Sequence, residues 1–388
     1  MKASIDKTRP YVRAFAPGRT ELAGNHTDHQ GGRVIAATID CGITMEVQAN
    51  GSSIARIDSS GFDLIELDLA NVRPEAVQKF TTAALVGGIV SGMRSAGVEI
   101  GGFDAVVASD LPSGGGLSSS AAFELAFAQA LNVLFAGRRF DEATLARIGQ
   151  AAERDWFGKS CGLMDQLSIA LGGVNLIDFA NGGCSSTRLD FNFDQCGYAL
   201  MIVDTHCDHS AYSDEYSQVP RDMQAVARHF GVEVLSWLGK DEFLRRFEEV
   251  RGALGDLPAL RGLHYYLEME LVDARAAALH DGDIGEFLRA MRRSAASSAQ
   301  YLQNVSTGSR SAQPAMVALA LCDCLLAGKG AARIHGGGFG GTVQVLVPEA
   351  EAERFSSAID AHLGVGSCHR YHVSNRGAFA HMVEPERG

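Results

Sequence analysis

The chain has 388 residues, a net charge of −12 and a pI near 5.5, and its length exceeds one typical domain, which predicts two. Its 46% hydrophobic content can build a core, and no stretch has a disordered or clustered basic composition. The longest apolar run, 315–328, is too short for a bilayer, and residues 1–19 lack a signal-peptide core. We therefore expect a cytoplasmic monomer or homodimer with reduced cysteines and small-molecule partners, and with neither nucleic acid nor membrane as a partner.

Hydrophobic periodicity predicts a first half that mixes strands and helices. Alternating residues predict strands near 34–49, 52–69, 101–109, 173–179, 185–190 and 197–204. Apolar residues at helical spacing predict helices over 75–96, 119–135 and 141–157.

The second half is predicted to start with helices and to end in mixed structure. Helical patterns cover 214–230, 241–254, 257–281 and 283–302, and Pro314 opens another helix. Strands near 328–334, 342–347, 368–374 and 377–382 and a helix over 349–363 complete the chain. The pattern predicts an α+β protein whose two domains, 1–193 and 194–388, meet near residues 191–196.

A glycine-rich loop precedes the helix predicted at 119–135. Three consecutive glycines (114–116) let backbone N–H groups approach a ligand, and the helix behind them offers free amides and the positive end of its dipole. Three serines (118–120) supply a cap and hydroxyl groups. No Gly-Lys-Ser/Thr follows, which excludes a Walker A loop. A phosphate-binding loop of another type and a plain strand-to-helix turn both remain open.

A second stretch, residues 16–32, is rich in polar side chains. Carboxylate and imidazole groups can orient sugar hydroxyls, so this stretch indicates a hydroxyl-rich ligand. A solvated loop is the alternative, and a metal site is a weaker one. The polar residues are Arg19, Glu21, Asn25, His26, Asp28 and His29, with the metal site at the last three.

Three further places are candidates. Asp165 follows a glycine-containing bend and is either a helix N-cap or a functional carboxylate at a loop end. Residues 335–341 contain five glycines between two strands, and they allow either close backbone approach to a ligand or a permissive hairpin turn. His206, Cys207 and His209 suggest zinc, but no second cluster completes the site, which favours a strand end and loop.

Four segments in this order resemble the signatures of the GHMP small-molecule kinases and, within them, of the galactokinases. They are PGRTELAGNHTDHQ (17–30), LPSGGGLSSSAA (111–122), CGLMDQ (161–166) and GGGFGG (336–341). The resemblance implies an N-terminal domain like ribosomal protein S5, a ferredoxin-like C-terminal domain and an active site in the cleft between them. It also implies that ATP, with Mg²⁺, phosphorylates the C1 hydroxyl of galactose, giving α-D-galactose 1-phosphate and ADP.

The same resemblance implies the site residues. Asp165 is catalytic and Arg19 pairs with it, which favours the charged carboxylate. The sugar site comprises Asn25, His26, Asp28, Asp165 and Tyr216, although Tyr216 also fits an ordinary half-buried helix position. The ATP phosphates contact Gly114, Gly115, Gly116, Leu117, Ser118, Ser119 and Ser120. Magnesium is held by Ser120 and Glu153.

The sugar segment departs from the family at three positions. Asn25 stands where the family has glutamate, His29 where it has tyrosine and Glu21 where it has asparagine. An amide loses the charge, which weakens a hydrogen bond to the sugar 6-hydroxyl and suits a C6 carboxylate. Galactose is the expected substrate, with galacturonate or N-acetylgalactosamine as alternatives. Intact Ser118–Ala122 and Asp165 disfavour a sugar and ATP sensor without turnover.

Overall fold

The structure is a computed structural model that describes residues 3–112, 115–159, 161–207 and 212–385. Within these ranges the strands form a sheet of eight strands and a sheet of four, and helices pack against both. The predicted α+β class is therefore confirmed.

The larger sheet contains the strands of the first half and the last strand of the chain. Its order is β12-β1-β2-β5-β3-β4, with β6 against β2 and β7 against β6, and only β3 and β5 pair in parallel. The strands are β1 Tyr11–Ala23, β2 Arg33–Ala49, β3 Ile54–Ser59, β4 Ile65–Asp68, β5 Phe103–Ser109, β6 Val174–Asp178, β7 Ser185–Arg188 and β12 Phe379–Val383.

The smaller sheet is antiparallel, in the order β11-β8-β10-β9. Strands β9 and β10 are joined by residues 336–341, so the second glycine-rich segment does connect two paired strands. The strands are β8 Tyr198–Asp204, β9 Ala331–His335, β10 Thr342–Pro348 and β11 Cys368–Tyr371.

The helices follow the predicted order, with shifted ends. They are α1 Thr82–Ser95, α2 Ser119–Leu134, α3 Glu142–Ala151, α4 Met164–Leu171, α5 Ser213–His229, α6 Lys240–Arg245, α7 Phe247–Leu254, α8 Asp256–Asp281, α9 Ile284–Ser297, α10 Pro314–Leu326 and α11 Ala352–Leu363. Residues 152–157 and 298–302 continue α3 and α9 as wider π-helical turns.

Three predicted elements are wrong in extent, and α4 was not predicted. The helix predicted over 241–254 is two helices, α6 and α7. The helix predicted over 75–96 begins only at Thr82, because Thr81 caps it by accepting a hydrogen bond from the Ala84 amide and Phe80 has a φ of +60°. The strand predicted over 52–69 is a pair of antiparallel strands, β3 and β4, with residues 60–64 between them.

The main hydrophobic core crosses the predicted domain limit at residues 193 and 194. Helix α2 packs against β1 and β2 and buries residues on most of its faces, which explains its nearly continuous apolar sequence. Residues of α8 and α9 join the same core, and β12 returns from the C-terminus to pair with β1. No helix within the described ranges is long and apolar enough to cross a membrane.

Candidate active site

Arg19 and Asp165 form the centre of the candidate site. Nε and Nη2 of Arg19 donate to Oδ1 and Oδ2 of Asp165 at 2.8 and 2.9 Å. Nη1 of Arg19 donates to the Gly116 carbonyl oxygen at 2.7 Å. These three hydrogen bonds hold the planar guanidinium in one orientation. Arg19 lies on β1 rather than in a loop, and Asp165 is the second residue of α4, so it is not the N-cap of that helix.

The surroundings of Asp165 keep its carboxylate ionised. Burial raises the pKa of Asp165. The charge of Arg19 and the hydrogen bonds from Arg19 and Ser118 together lower this pKa by more, so the net shift is downward. The side chain of Asp165 is nevertheless 24% exposed. A buried arginine thus holds an anionic oxygen where a ligand can reach it.

Ser118 connects the phosphate-loop candidate to this pair. It stands at the N-cap position of α2 with a φ of 59°, and its side chain makes no capping hydrogen bond. The hydroxyl instead donates to Oδ2 of Asp165. The predicted serine cap of α2 is therefore not formed by the Ser118 side chain, because the left-handed backbone at Ser118 turns its hydroxyl towards Asp165.

The described part of the glycine-rich loop is anchored to Arg19. The Leu117 carbonyl oxygen accepts a hydrogen bond from the Arg19 amide at 3.1 Å, in addition to the side-chain contact at Gly116. Leu117 is buried, and Ser119 is the first residue of α2. The predicted ATP contact at Gly114 lies outside the described residues.

Ser120 and Glu153, the two predicted magnesium ligands, lie together beside this loop. The Ser120 hydroxyl donates to Oε1 of Glu153 at 3.0 Å, and Nζ of Lys159 donates to the same oxygen at 2.9 Å. Oε2 of Glu153 accepts a hydrogen bond from Nε2 of Gln166 at 2.8 Å. The Glu153 side chain is 1% exposed, so it is a buried charge with three hydrogen bonds.

Glu124 is a buried carboxyl group next to this cluster that the sequence analysis missed. Its Oε2 accepts a hydrogen bond from Nε2 of Gln166 at 3.0 Å. Burial, followed by the negative charge of Glu153, raises the pKa of Glu124 well above its ordinary value. A glutamate inside the apolar pattern of α2 was the available signal, since an unpaired charge is rarely buried.

Asn25 binds protein groups through both polar atoms of its side chain. Nδ2 donates to the Gly336 carbonyl oxygen at 2.6 Å, and Oδ1 accepts a hydrogen bond from Nδ2 of Asn304 at 2.8 Å. The residue has no exposed surface. The sequence analysis predicted that this amide faces a sugar hydroxyl, whereas the structure shows it joining the sugar segment to residues 336–341.

The two histidines of the sugar segment are neutral. Burial, with a smaller contribution from the neighbouring ring of His29, lowers the pKa of His26 to about 3, and burial lowers the pKa of His29 to about 4. Nε2 of His26 lies 3.0 Å from the Gly337 carbonyl oxygen, so this nitrogen carries the proton. The ring planes of His26 and His29 meet at 68°.

Asp28 differs from Asp165 in its electrostatics. Burial is the main cause that raises the pKa of Asp28 to about 6. A backbone hydrogen bond from His29 opposes it, the charge of Asp165 adds to the rise, and Arg19 lowers the pKa slightly. A methyl group at Gly162 would overlap Oδ2 of Asp28. The glycine that precedes the segment with Asp165 therefore makes room for this carboxyl group.

Tyr216 on α5 lies against the same segment. Its ring centroid is 5.5 Å from that of His26, and a methyl group at Gly337 would overlap the tyrosine ring. Tyr216 is 39% exposed, so it is half-buried as either interpretation requires, and its role at the sugar stays a prediction. Groups from β1, α4, α5 and residues 336–341 thus meet around one place.

Two alternative metal sites are suggested by the sequence, one in residues 26–29 and one in residues 206–209. Within the described ranges no three His, Cys, Asp or Glu side chains form a group that could hold a metal ion. Nε2 of His206 lies 2.8 Å from the hydroxyl oxygen of Ser367. His209, the third residue of that suggested zinc site, lies outside the described residues.

Comparison with known families finds three matches in the chain. The model "Galactokinase galactose-binding signature" matches residues 3–49. The models for the N-terminal and C-terminal domains of GHMP kinases match residues 84–173 and 276–364.

Individual proteins resemble the chain over nearly its full length. Galactokinases of Actinobacillus pleuropneumoniae and Streptomyces coelicolor are 30% and 32% identical to it, over 89% of this chain and 87% of each relative. The structure of Lactococcus lactis galactokinase complexed with galactose aligns with a TM-score of 0.81 at 24% identity, covering 95% of this chain and 94% of the other. A mevalonate kinase from L. major aligns with a TM-score of 0.64 at 17% identity and covers both chains fully. These likenesses confirm the predicted fold.

Proposed function

Since the chain belongs to the galactokinase family of GHMP kinases, we propose that it transfers the γ-phosphoryl group of ATP to the C1 hydroxyl of α-D-galactose. The products are α-D-galactose 1-phosphate and ADP. The observation that carries the proposal is the contact of Arg19 with Asp165, which keeps a reachable carboxylate anionic beside the glycine-rich loop. The relatives named as galactokinases support the choice of sugar.

Asp165 acts on the attacking hydroxyl group. Its carboxylate accepts the proton of the C1 hydroxyl while the hydroxyl oxygen forms a bond to the γ-phosphorus, and the bond from that phosphorus to the bridging oxygen of ADP breaks. Arg19 fixes the carboxylate by two hydrogen bonds and lowers the pKa of Asp165. This arrangement supplies orientation and charge, which are the main requirements of phosphoryl transfer.

The phosphate chain of ATP is proposed to lie on the glycine-rich loop at the start of α2. The loop residues are Gly114, Gly115, Gly116, Leu117, Ser118, Ser119 and Ser120. Free amides at a helix N-terminus bind anions, and Arg19 holds the loop through the Gly116 and Leu117 carbonyl oxygens. The Ser118 hydroxyl connects this loop to the reacting carboxylate.

Ser120 and Glu153 would hold Mg²⁺. A hydroxyl and a carboxylate oxygen 3.0 Å apart suit this ion, which takes few protein ligands and completes its shell with water and phosphate oxygens. When bound, Mg²⁺ neutralises charge on the phosphates. In the protein alone, the Glu153 oxygen nearest Ser120 also accepts a hydrogen bond from Lys159.

The sugar is proposed to lie against Asp28, His26 and Tyr216. An ionised Asp28 can accept hydrogen bonds from two hydroxyl groups. The partly exposed ring of Tyr216, which lies beside the buried and neutral ring of His26, offers a flat surface to the sugar. Asn25 supports this pocket by fixing the sugar segment to Gly336.

A sugar acid is the alternative acceptor. Nδ1 of His29 accepts a hydrogen bond from Nε2 of Gln30 at 3.3 Å, so Nε2 of His29 carries the proton. This N–H group is buried and has no partner within the described ranges. A donor that replaces the family's tyrosine hydroxyl suits a carboxylate as well as a hydroxyl group.

The test compares ADP release on galactose, galacturonate and N-acetylgalactosamine. We expect the highest kcat/KM on galactose, and a fall of about 10²- to 10⁴-fold in kcat for Asp165→Asn, as is typical for loss of a general base. Asp241→Asn, an exposed surface change, is the matched control. Undiminished turnover by Asp165→Asn would refute the mechanism. Higher turnover on galacturonate or N-acetylgalactosamine would replace the sugar, and binding of both ligands without turnover would indicate a sensor.

A further inference from the structure

Lys159 brings a second cation to the predicted magnesium ligands. Its Nζ donates to Oε1 of Glu153 at 2.9 Å, the oxygen that also accepts a hydrogen bond from the Ser120 hydroxyl. An ammonium group carries three N–H donors, and the other two of Lys159 have no hydrogen-bond partner within the described ranges. Two donors are thus available beside the oxygens that face the phosphate loop.

The backbone conformation places the Cα atom of Lys159 next to Glu153. Residues 152–157 form a π-helical turn, and the amides of Gly158 and Lys159 both donate to the Glu153 carbonyl oxygen, at 3.0 and 3.1 Å. The chain therefore folds back onto Glu153. This closure explains why a residue six positions after Glu153 can reach its carboxylate.

The lysine and the glutamate differ in accessibility. The Lys159 side chain is 46% exposed, while the Glu153 side chain is 1% exposed. The positive charge of Lys159 also lowers the pKa of Asp165, so the ammonium group acts on the reacting carboxylate. A cation that is half exposed to solvent, bonded to Glu153 and close enough to Asp165 to affect its pKa can meet an incoming anion.

We propose that Lys159 is a nucleotide-binding residue whose ammonium group exchanges its hydrogen bond to Glu153 for phosphate oxygens of ATP. The inference rests on the proposed kinase function. A metal ion that binds Oε1 of Glu153 competes for that oxygen with the ammonium group of Lys159, which carries a positive charge and would be repelled by the ion. The displaced lysine then finds its partner on the phosphate chain, where a charge-assisted hydrogen bond replaces the one it lost.

Measurement of ATP binding in the presence of EDTA separates the contribution of Lys159 from that of the metal ion. Hydrogen bonds to charged groups correspond to about a tenfold change or more, so we expect Lys159→Met to weaken metal-free ATP binding about tenfold in calorimetry. Lys159→Arg keeps the charge and should stay within about threefold of the wild type. Lys329→Met, which removes a half-exposed lysine paired with Glu351, is the matched control and should bind ATP as the wild type does.

A second pair of variants guards against a folding defect. Lys159→Met leaves Glu153 buried with one partner fewer, which destabilises the protein. In a Glu153→Gln background no buried charge remains at that position, and metal-free ATP binding does not need the glutamate. We expect Glu153→Gln to bind metal-free ATP at least as tightly as the wild type, and Glu153→Gln with Lys159→Met to bind it about tenfold less tightly.

Metal binding without nucleotide tests the exchange itself. Removal of the ammonium group frees Oε1 of Glu153, so Lys159→Met should bind Mn²⁺ more tightly than the wild type in electron paramagnetic resonance titrations. Unchanged Mn²⁺ affinity, or metal-free ATP binding unaffected by loss of Lys159 in both backgrounds, would overturn the proposal. Failure of the wild-type protein to bind ATP at all would instead refute the kinase function.

Discussion

Sugar binding should weaken as the pH falls, through protonation of Asp28. Burial raises the pKa of this carboxyl group to about 6. The ionised fraction of such a group is near one at pH 8 and about one tenth at pH 5. If the sugar hydroxyls donate to the carboxylate, the apparent dissociation constant rises by the inverse of that fraction, which gives about a tenfold loss of affinity between pH 8 and pH 5.

Neither the two histidines of the sugar segment nor Asp165 titrates in this window. The pKa values of His26 and His29 are lowered to about 3 and about 4, so both rings stay neutral between pH 5 and pH 8. The pKa of Asp165 is below its ordinary value, so this carboxylate stays ionised. The pH dependence of sugar binding therefore reports Asp28.

The contribution of Asp28 to folding stability depends on pH in the opposite direction to its contribution to sugar binding. The pKa of Asp28 is raised from 3.8 to about 6 in the folded protein, so between these values the folded state binds more protons at Asp28 than the unfolded state does. Stability contributed by this group is present at low pH and is lost as the pH rises through about 6. Protonation of Asp28 at low pH should thus stabilise the folded protein, while it weakens the binding of the sugar.

The assay is calorimetric titration of galactose at pH 5, 6, 7 and 8 with wild type and Asp28→Asn. We expect the wild-type affinity to follow one ionisation near pH 6, and Asp28→Asn to bind weakly at every pH, since its amide cannot ionise. Asp241→Asn, an exposed change, should retain the wild-type profile. A wild-type affinity that is independent of pH, or the same pH dependence in Asp28→Asn, would refute the reasoning.

Two further predictions concern stability and the sugar pocket. Arg333→Met should lower the free energy of unfolding by about 3–5 kcal/mol in urea titrations, because it leaves Glu21 buried without its ion-pair partner at 2.5 Å, and a double change with Glu21→Gln should restore part of the loss. Equal stability of the single and double variants would contradict this. Gly337→Ala should lower kcat/KM for the sugar by about 10- to 100-fold, because the added methyl displaces the Tyr216 ring, whereas Gly252→Ala, with open space around it, should leave steady-state kinetics unchanged. Wild-type kinetics in Gly337→Ala would show that the ring position does not matter.

The centre of the site could be predicted because its residues lie in short signatures with a defined order. Arg19 and Asp165 are 146 positions apart, yet each belongs to a recognisable segment, and the predicted pair is in contact. Ser120 and Glu153, predicted as ligands of one metal ion, are also in contact, and their role as ligands stays a prediction. Each of these residues lies at a strand, a helix start or a turn whose backbone brings it to the common place.

The partners of the buried polar groups could not be predicted, because nothing local in the sequence specifies them. Asn304 lies 279 positions from Asn25, and a single asparagine in a helix-to-loop segment carries no periodic signal. Lys159 looks like a solvated loop lysine until the π-helical turn brings it back to Glu153. The pairing of β12 with β1 likewise depends on edge-strand contacts between the two ends of the chain.

The loop contact of Asn25 changes how its departure from the family should be understood. The Gly336 carbonyl oxygen needs a donor, and Nδ2 of Asn25 supplies it, whereas an ionised glutamate has no donor and would set a negative charge against that oxygen. His26 repeats the arrangement one residue further along, with its ring N–H on the Gly337 carbonyl oxygen. Asn25 is therefore explained by closure of the sugar segment onto residues 336–341, and its presence alone is no evidence for a sugar with a different group at C6.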